Sequence, residues 1–162
     1  MGVGKTTVGT KLSRKLGHYF IDSDREIEDR ERKTIPEIFT QNGEEYFRSV
    51  EEKIIKEIAL RDEEIVLSIG GGGFMSKKTR EILKEKAITI WLDAPIHEIL
   101  RRVSNKNNRP LLQNKNKRLV LEELAEKRYP TYAEADLKFE TTNSSREVLI
   151  DKIISKIKEL QK

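Results

Sequence analysis

Gly2, Val3, Gly4, Lys5, Thr6 and Thr7 carry the clearest chemistry in the chain. They match the second half of the pattern G-x-x-x-x-G-K-[ST]. Glycines let the backbone curl so that successive N–H groups point at phosphate oxygens. Lys5 would reach the β- and γ-phosphates of a nucleoside triphosphate, and Thr6 would offer its hydroxyl to Mg2+. The bland alternative is a flexible, glycine-containing N-terminus. Asp22 and Asp24 stand two apart after a short apolar run. If the strand persists they share a face, and two acids at a strand end suit a metal ion and a hydroxyl to be oriented or deprotonated. The plain alternative is a turn with Asp24 as a helix N-cap.

Three further groups suit anions. Gly70, Gly71 and Gly72, with Gly73, follow a buried strand where a conventional strand of this kind presents an acid. Bare backbone there permits close approach of a ligand, with N–H groups available to an anion. Arg48 is followed three residues later by Glu51. A carboxylate that holds an arginine fork prepares it for a second carboxylate or a phosphate. The segment 105–118 carries Lys106, Arg109, Lys115, Lys117 and Arg118 and no acid. A basic, polar stretch inside a compact domain is either a lid or a tolerated insertion. Arg109 on such a lid could stabilise transition-state charge over phosphates.

The elements that must position these residues alternate. Val8, Leu12 and Leu16 recur at helical spacing, and Gly17 ends that helix. Residues 19–21, 65–69, 87–92 and 137–140 read as short strands. Thr34 caps a helix with Pro36 in its first turn, and Gly43 separates it from a longer helix with Phe47, Val50, Ile54 and Ile58 on its buried side. Ser76 caps a further helix, Pro95 stands where a helix N1 residue belongs, and helical pattern resumes near Leu119. A last helix carries Val148, Leu149, Ile153 and Ile157. Helices alternating with apolar strands are the pattern of a parallel α/β sheet covered on both faces.

Composition sets the bounds. A chain of 162 residues with 36% apolar and 37% charged residues suits one domain. There is no cysteine, so disulfides, thiolate metal sites and cysteine nucleophiles are excluded. His18 and His97 read as ordinary surface residues. A formal charge of +4 with both signs mixed is too mild to imply nucleic acid. No apolar run reaches membrane-spanning length, so no membrane partner is expected and a cytoplasmic location is.

In this order, the pieces resemble shikimate kinase, a family of P-loop small-molecule kinases. The resemblance covers essentially the whole chain. It rests on Gly2-Val3-Gly4-Lys5-Thr6-Thr7, on Asp22-Ser23-Asp24, and on Ile38-Phe39 leading into Gly43-Glu44 and Phe47-Arg48-x-x-Glu51. It continues through Gly70-Gly71-Gly72, Arg109-Pro110-Leu111-Leu112, and Arg128 with Tyr132. It implies a three-layer P-loop kinase fold with a parallel sheet of order 2-3-1-4-5 flanked by helices. It implies a single kinase domain over 1–162, with an acceptor-binding segment at about 24–52 and a lid at about 105–118.

The activity implied is transfer of the γ-phosphoryl group of ATP to the 3-hydroxyl of shikimate, in chorismate and aromatic amino-acid biosynthesis, with Mg2+ and by a monomer. Lys5 would hold phosphates, Thr6 the Mg2+, and Asp22 would lie near the metal. Gly2, Val3, Gly4 and Thr7 would complete the nucleotide loop. Asp24 would bind the acceptor hydroxyl. Arg48, Arg128 and the backbone of Gly70, Gly71 and Gly72 would hold the shikimate carboxylate and ring hydroxyls. Arg109 would close over the phosphates and Arg102 would stack on adenine. The family's first strand and first loop glycine would lie upstream of Met1. A start placed too far downstream, or a trimmed chain, is therefore expected, with poor folding and negligible activity of 1–162 alone. Alternatives are a gluconokinase-like small-molecule kinase, or an inactive, N-terminally shortened fragment.

Overall fold

The computed structural model describes residues 2–103, 116–142 and 144–161. They form two compact units, one from Thr6–Thr89 and the other from Met1–Lys5 with Ile90–Lys162.

In the first unit, helix α1 (Lys5–Leu16) buries Val8, Gly9 and Leu12. Glycine is required at position 9 because a Cβ there would sit 2.6 Å from the Phe20 ring. Gly17 ends the helix with φ 74°. Strand β1 (Tyr19–Asp22) then pairs in parallel with β2 (Ile65–Ser68), with Phe20 opposite Val66 and Asp22 opposite Ser68. Helix α2 (Ser23–Glu31) starts directly at the end of β1. It gives little sequence signal because Ile27 is its one apolar residue.

Thr34 and Glu37 form a reciprocal capping box at the start of α3 (Ile35–Ala59). Gly43 interrupts α3 with φ 83° and ψ 171°, as its expected separating role requires. Phe39 and Phe47 would be about 12 Å apart along a straight helix. Their ring centroids are 4.7 Å apart, so the chain bends at Gly43 and closes the two rings on each other. Phe47 belongs to a core with Ile27, Ile38, Ile54 and Ile58, against which Phe39 and, from the strands, Ile21, Ile65 and Leu67 pack. A single 3-10 turn (Gly73–Met75) leads to α4 (Lys77–Lys86), capped by Ser76 through the Thr79 N–H.

In the second unit, β3 (Ile90–Asp93) pairs in parallel with β4 (Leu137–Glu140), Ile90 opposite Leu137. The strand expected over 87–92 begins later because Ala87 is the C-cap of α4, its N–H donating to the Leu83 carbonyl. Helix α5 (Ile96–Val103) follows Pro95, whose carbonyl accepts from the N–H groups of Glu98 and Ile99. Pro95 therefore precedes the helix rather than filling its first turn. Helices α6 (Lys117–Tyr132) and α7 (Arg146–Leu160) complete the unit. Val3, Ala94, Ile99, Val103 and Leu121 make its apolar cluster.

The four strands thus form two parallel pairs, each a separate two-stranded sheet among the described residues. Both pairings are those that the order 2-3-1-4-5 requires of the strands present. The architecture is α/β, with short parallel strands covered by helices.

Candidate active site

A polar cluster of the first unit lies at the C-terminal ends of β1 and β2, the edge where open α/β sheets bind ligands. Asp22 does two things there. Its Oδ1 accepts from the Asp24 N–H at 3.1 Å and caps α2. Its Oδ2 accepts from the Thr6 hydroxyl at 3.1 Å. The cap is therefore Asp22 and not Asp24. The two acids do not share a strand face, because the chain turns helical at Ser23.

Asp24 instead lies over the glycine run. Its Oδ1 is 2.7 Å from where a Cβ of Gly70 would be, and Glu51 Oε1 is 3.0 Å from the same point. The Gly70 N–H is already committed, donating to Ser23 Oγ at 3.2 Å. At Gly72 a Cβ would fall 2.2 Å from Arg48 Nη1. The guanidinium thus lies on bare backbone, and a side chain at position 72 would oblige it to shift.

Arg48 is held from both sides. Its Nη1 donates to Glu51 Oε2 at 2.6 Å, and its Nε and Nη2 donate to Glu44 Oε1 at 3.3 and 3.2 Å. Phe47 lies beneath it, the ring centroid 5.0 Å from the guanidinium carbon. Glu51 is only 2% exposed. Burial is the strongest influence on Arg48 and opposes its charge, but Glu51 and then Glu44 outweigh it. The guanidinium is held above its ordinary value, a fixed cation aimed by two carboxylates. Glu44 directly follows Gly43 and Glu51 stands about two helical turns further on, so the backbone break sets where the whole clamp points. Together these groups can grip an anionic, hydroxylated molecule: Arg48 supplies the cation and Asp24 the hydroxyl acceptor.

In the second unit the N-terminal loop turns through Gly2 (φ 70°) and Gly4 (φ 93°), both in the left-handed region that favours glycine. A Cβ on Gly2 would also strike Val103 Cγ1 at 2.8 Å. Val3 is buried, anchoring the loop in the apolar cluster. Arg102 Nη1 reaches the carbonyls of Gly2 at 3.4 Å and Val3 at 3.5 Å, and Thr141 Oγ1 at 3.3 Å. Arg102 and the loop, expected to serve one ligand, are therefore neighbours. Arg128 lies half-buried on α6. Arg109 and most of the 105–118 segment lie outside the described residues.

The shikimate kinase family model matches residues 1–158. The chain belongs to the shikimate kinase family. A shikimate kinase of Mesorhizobium japonicum is 42% identical over 155 residues, covering 96% of this chain and 76% of the relative. That of Caulobacter vibrioides is 42% identical over 159 residues, covering 98% and 79%. A solved shikimate kinase from Acinetobacter baumannii, in complex with shikimate, superposes with TM-score 0.92 at 40% identity. It covers 98% of this chain and 89% of the solved one. The shikimate kinase from Aquifex aeolicus superposes with TM-score 0.81 at 31% identity. These likenesses establish the P-loop α/β fold of the family.

Some of this family member's polar wiring was not legible in the residues alone. Glu51 was recognisable from its spacing to Arg48, but nothing in the sequence marks Ser23 as fully buried or ties it to Gly70. A second cluster had no sequence signal. Asp93, at the end of β3, accepts from Ala94 N–H at 2.9 Å and pairs with Lys138 Nζ at 2.9 Å. Lys138 also lies over the Trp91 ring at 3.9 Å, and Trp91 packs edge-on against Tyr129 and Tyr132. Burial, followed by the charge of Asp93 and a hydrogen bond to it, pushes the Tyr129 hydroxyl up to about 12.

Proposed function

We propose that this chain transfers the γ-phosphoryl group of ATP to the 3-hydroxyl of shikimate, giving shikimate 3-phosphate and ADP. The bond between the γ-phosphorus and the β,γ-bridging oxygen breaks, and a new bond forms from phosphorus to the acceptor oxygen. The hydroxyl proton passes to Asp24. The observation that carries this reading is the placement of Arg48 on Gly72 beside Asp24 on Gly70. A cation fixed by Glu44 and Glu51 suits the acceptor carboxylate, and the carboxylate of Asp24 suits its hydroxyl.

Roles follow for the remaining residues. The backbone of Gly2, Val3 and Gly4 cradles phosphates, with Thr7 in the same loop, and Lys5 neutralises the charge that develops on them. Thr6 and Asp22, joined at 3.1 Å, supply the hydroxyl-and-carboxylate oxygens that suit Mg2+, an ion that keeps several waters and few protein ligands. When bound, Mg2+ offsets phosphate charge. Arg128 and the backbone of Gly71 complete the acceptor's binding, Arg102 packs on adenine, and Arg109 closes over the phosphates. The reading takes 1–162 as one kinase domain, with 24–52 as acceptor segment and 105–118 as lid. It also takes the enzyme as a cytoplasmic monomer, which sedimentation and fractionation check.

The test is ADP release from MgATP with shikimate or gluconate as acceptor. Shikimate-dependent turnover that collapses in Lys5→Ala and Asp24→Asn is the expected result. Turnover with gluconate and none with shikimate overturns the assignment.

A further inference from the structure

The first unit's two strands end together, at Asp22 opposite Ser68. Beyond them the chains part: β1 becomes α2 at Ser23, while β2 runs into the glycines. The ladder therefore stops just before the place where the Gly70 N–H needs an acceptor. Ser23 supplies one from its side chain, Oγ accepting at 3.2 Å. Ser23 is fully buried, and Gly70 is half-buried. Next to this bond, Asp24 Oδ1 and Glu51 Oε1 both press on Gly70, within 3.0 Å of where a Cβ would stand.

We infer that Ser23 is a positioning residue for acceptor phosphorylation, a latch that extends the ladder by one side-chain bond. It fixes the glycine run against the first turn of α2. In doing so it sets the separation between Asp24, on α2, and the Gly72 seat of Arg48. Without the bond, Gly70 can withdraw from α2, and the acceptor hydroxyl and carboxylate are no longer gripped at matched distances. Small misplacements of this kind cost rate steeply, since reacting groups must meet within a narrow range of distance and angle. Ser23 touches no reacting atom. This inference rests on the proposed function for its kinetic part and on the hydrogen bond alone for its structural part.

The experiment compares the full-length protein with its Ser23→Ala and Ser23→Thr variants. Three quantities are read: shikimate-dependent turnover, MgATP affinity by titration, and exchange of the Gly70 amide proton by NMR. Ser23→Ala is expected to lower kcat/KM for shikimate by about tenfold, to leave MgATP affinity unchanged, and to remove protection at Gly70. Ser23→Thr, which keeps the hydroxyl, is expected to retain all three. If Ser23→Ala does not fold, Ser23→Cys takes its place. Undiminished Gly70 protection in the variant overturns the latch. Loss of MgATP affinity in step with shikimate turnover overturns the positioning role. A wild-type chain that turns over another acceptor but not shikimate rejects the functional reading while the Gly70 exchange still decides the latch.

Discussion

Arg48 and Arg128 are both assigned to one acceptor, yet they are built differently. Arg48, in the unit Thr6–Thr89, is clamped by Glu44 and a buried Glu51, backed by Phe47 and laid on Gly72. Arg128, on α6 of the other unit, has no ion pair among the described residues. One arginine is preorganised before any ligand arrives. The other has no such clamp among the described residues, and on the proposed reading any ordering of its side chain would fall to the binding step. Stability and binding are therefore coupled at Arg48 and separable at Arg128.

The largest expected effect breaks the clamp. Arg48→Ala removes a counter-charge from the buried Glu51 carboxylate. Because Arg48 is partly exposed, the loss should lie at the low end of the buried-pair range, about 3 kcal/mol, and shikimate binding should weaken with it. Urea unfolding and shikimate titration on one sample check both losses; unaltered stability would mean that Glu51 does not depend on Arg48. Next comes the contrast: Arg128→Ala should leave the unfolding midpoint alone and weaken shikimate by about 1.5–3 kcal/mol, the worth of a charge-assisted hydrogen bond. A falling midpoint in that variant would erase the distinction between the two arginines.

Gly43 sharpens the same comparison from the backbone side. Its φ of 83° with ψ of 171° is open to glycine alone. Gly43→Ala should destabilise the first unit by about 1–3 kcal/mol and loosen the Arg48 clamp. Hydrogen exchange resolved by segment should show the loss in 35–59 and not in β3 and β4.

The smallest effect belongs to the second unit. Tyr129 ionises only near pH 12 when folded, against about 10 when unfolded. Between these values the unfolded chain has lost a proton that the folded one retains, so stability is intact below pH 10 and falls as pH rises toward 12. Because Tyr129 is partly exposed, solvent screening leaves roughly 1 kcal/mol of this. Denaturation followed by Trp91, the sole tryptophan, should show that alkaline decline, and Tyr129→Phe should flatten it.

Much of the architecture was legible because it is written in apolar periodicity. Tyr19 to Ile21, Ile65 to Leu67 and Leu137 to Phe139 stand in strands, and the caps Thr34 and Ser76 cap the helices assigned to them. Helix α2 was legible only through the alternative of a helix capped near Asp24, since Ser23–Glu31 is almost wholly polar and Ile27 is its one apolar core residue. At the site, residue types announced Lys5, Thr6, Arg48 and the glycines, and a three-residue interval announced Glu51. The exchange of roles between Asp22 and Asp24 was hidden. Which of two neighbouring acids caps a helix depends on where the strand releases the chain, and that is set by pairing with β2 rather than by local sequence. The Asp93, Tyr129 and Lys138 cluster was hidden for the same reason, its members joining only when β4 and α6 come to β3.

The seat of Arg48 on Gly72 also has a consequence for how such a chain can change over generations. With Nη1 occupying the space of a missing Cβ, 2.2 Å away, the two positions do not vary independently. Any side chain arriving at 72 obliges the guanidinium to move. A shorter residue at 48 leaves a hollow on the glycine and takes a counter-charge from the buried acid at 51. Each position therefore constrains what the other can hold. A library randomised at both positions should recover non-glycine residues at 72 only in clones that have already lost the arginine, and with it the acceptor.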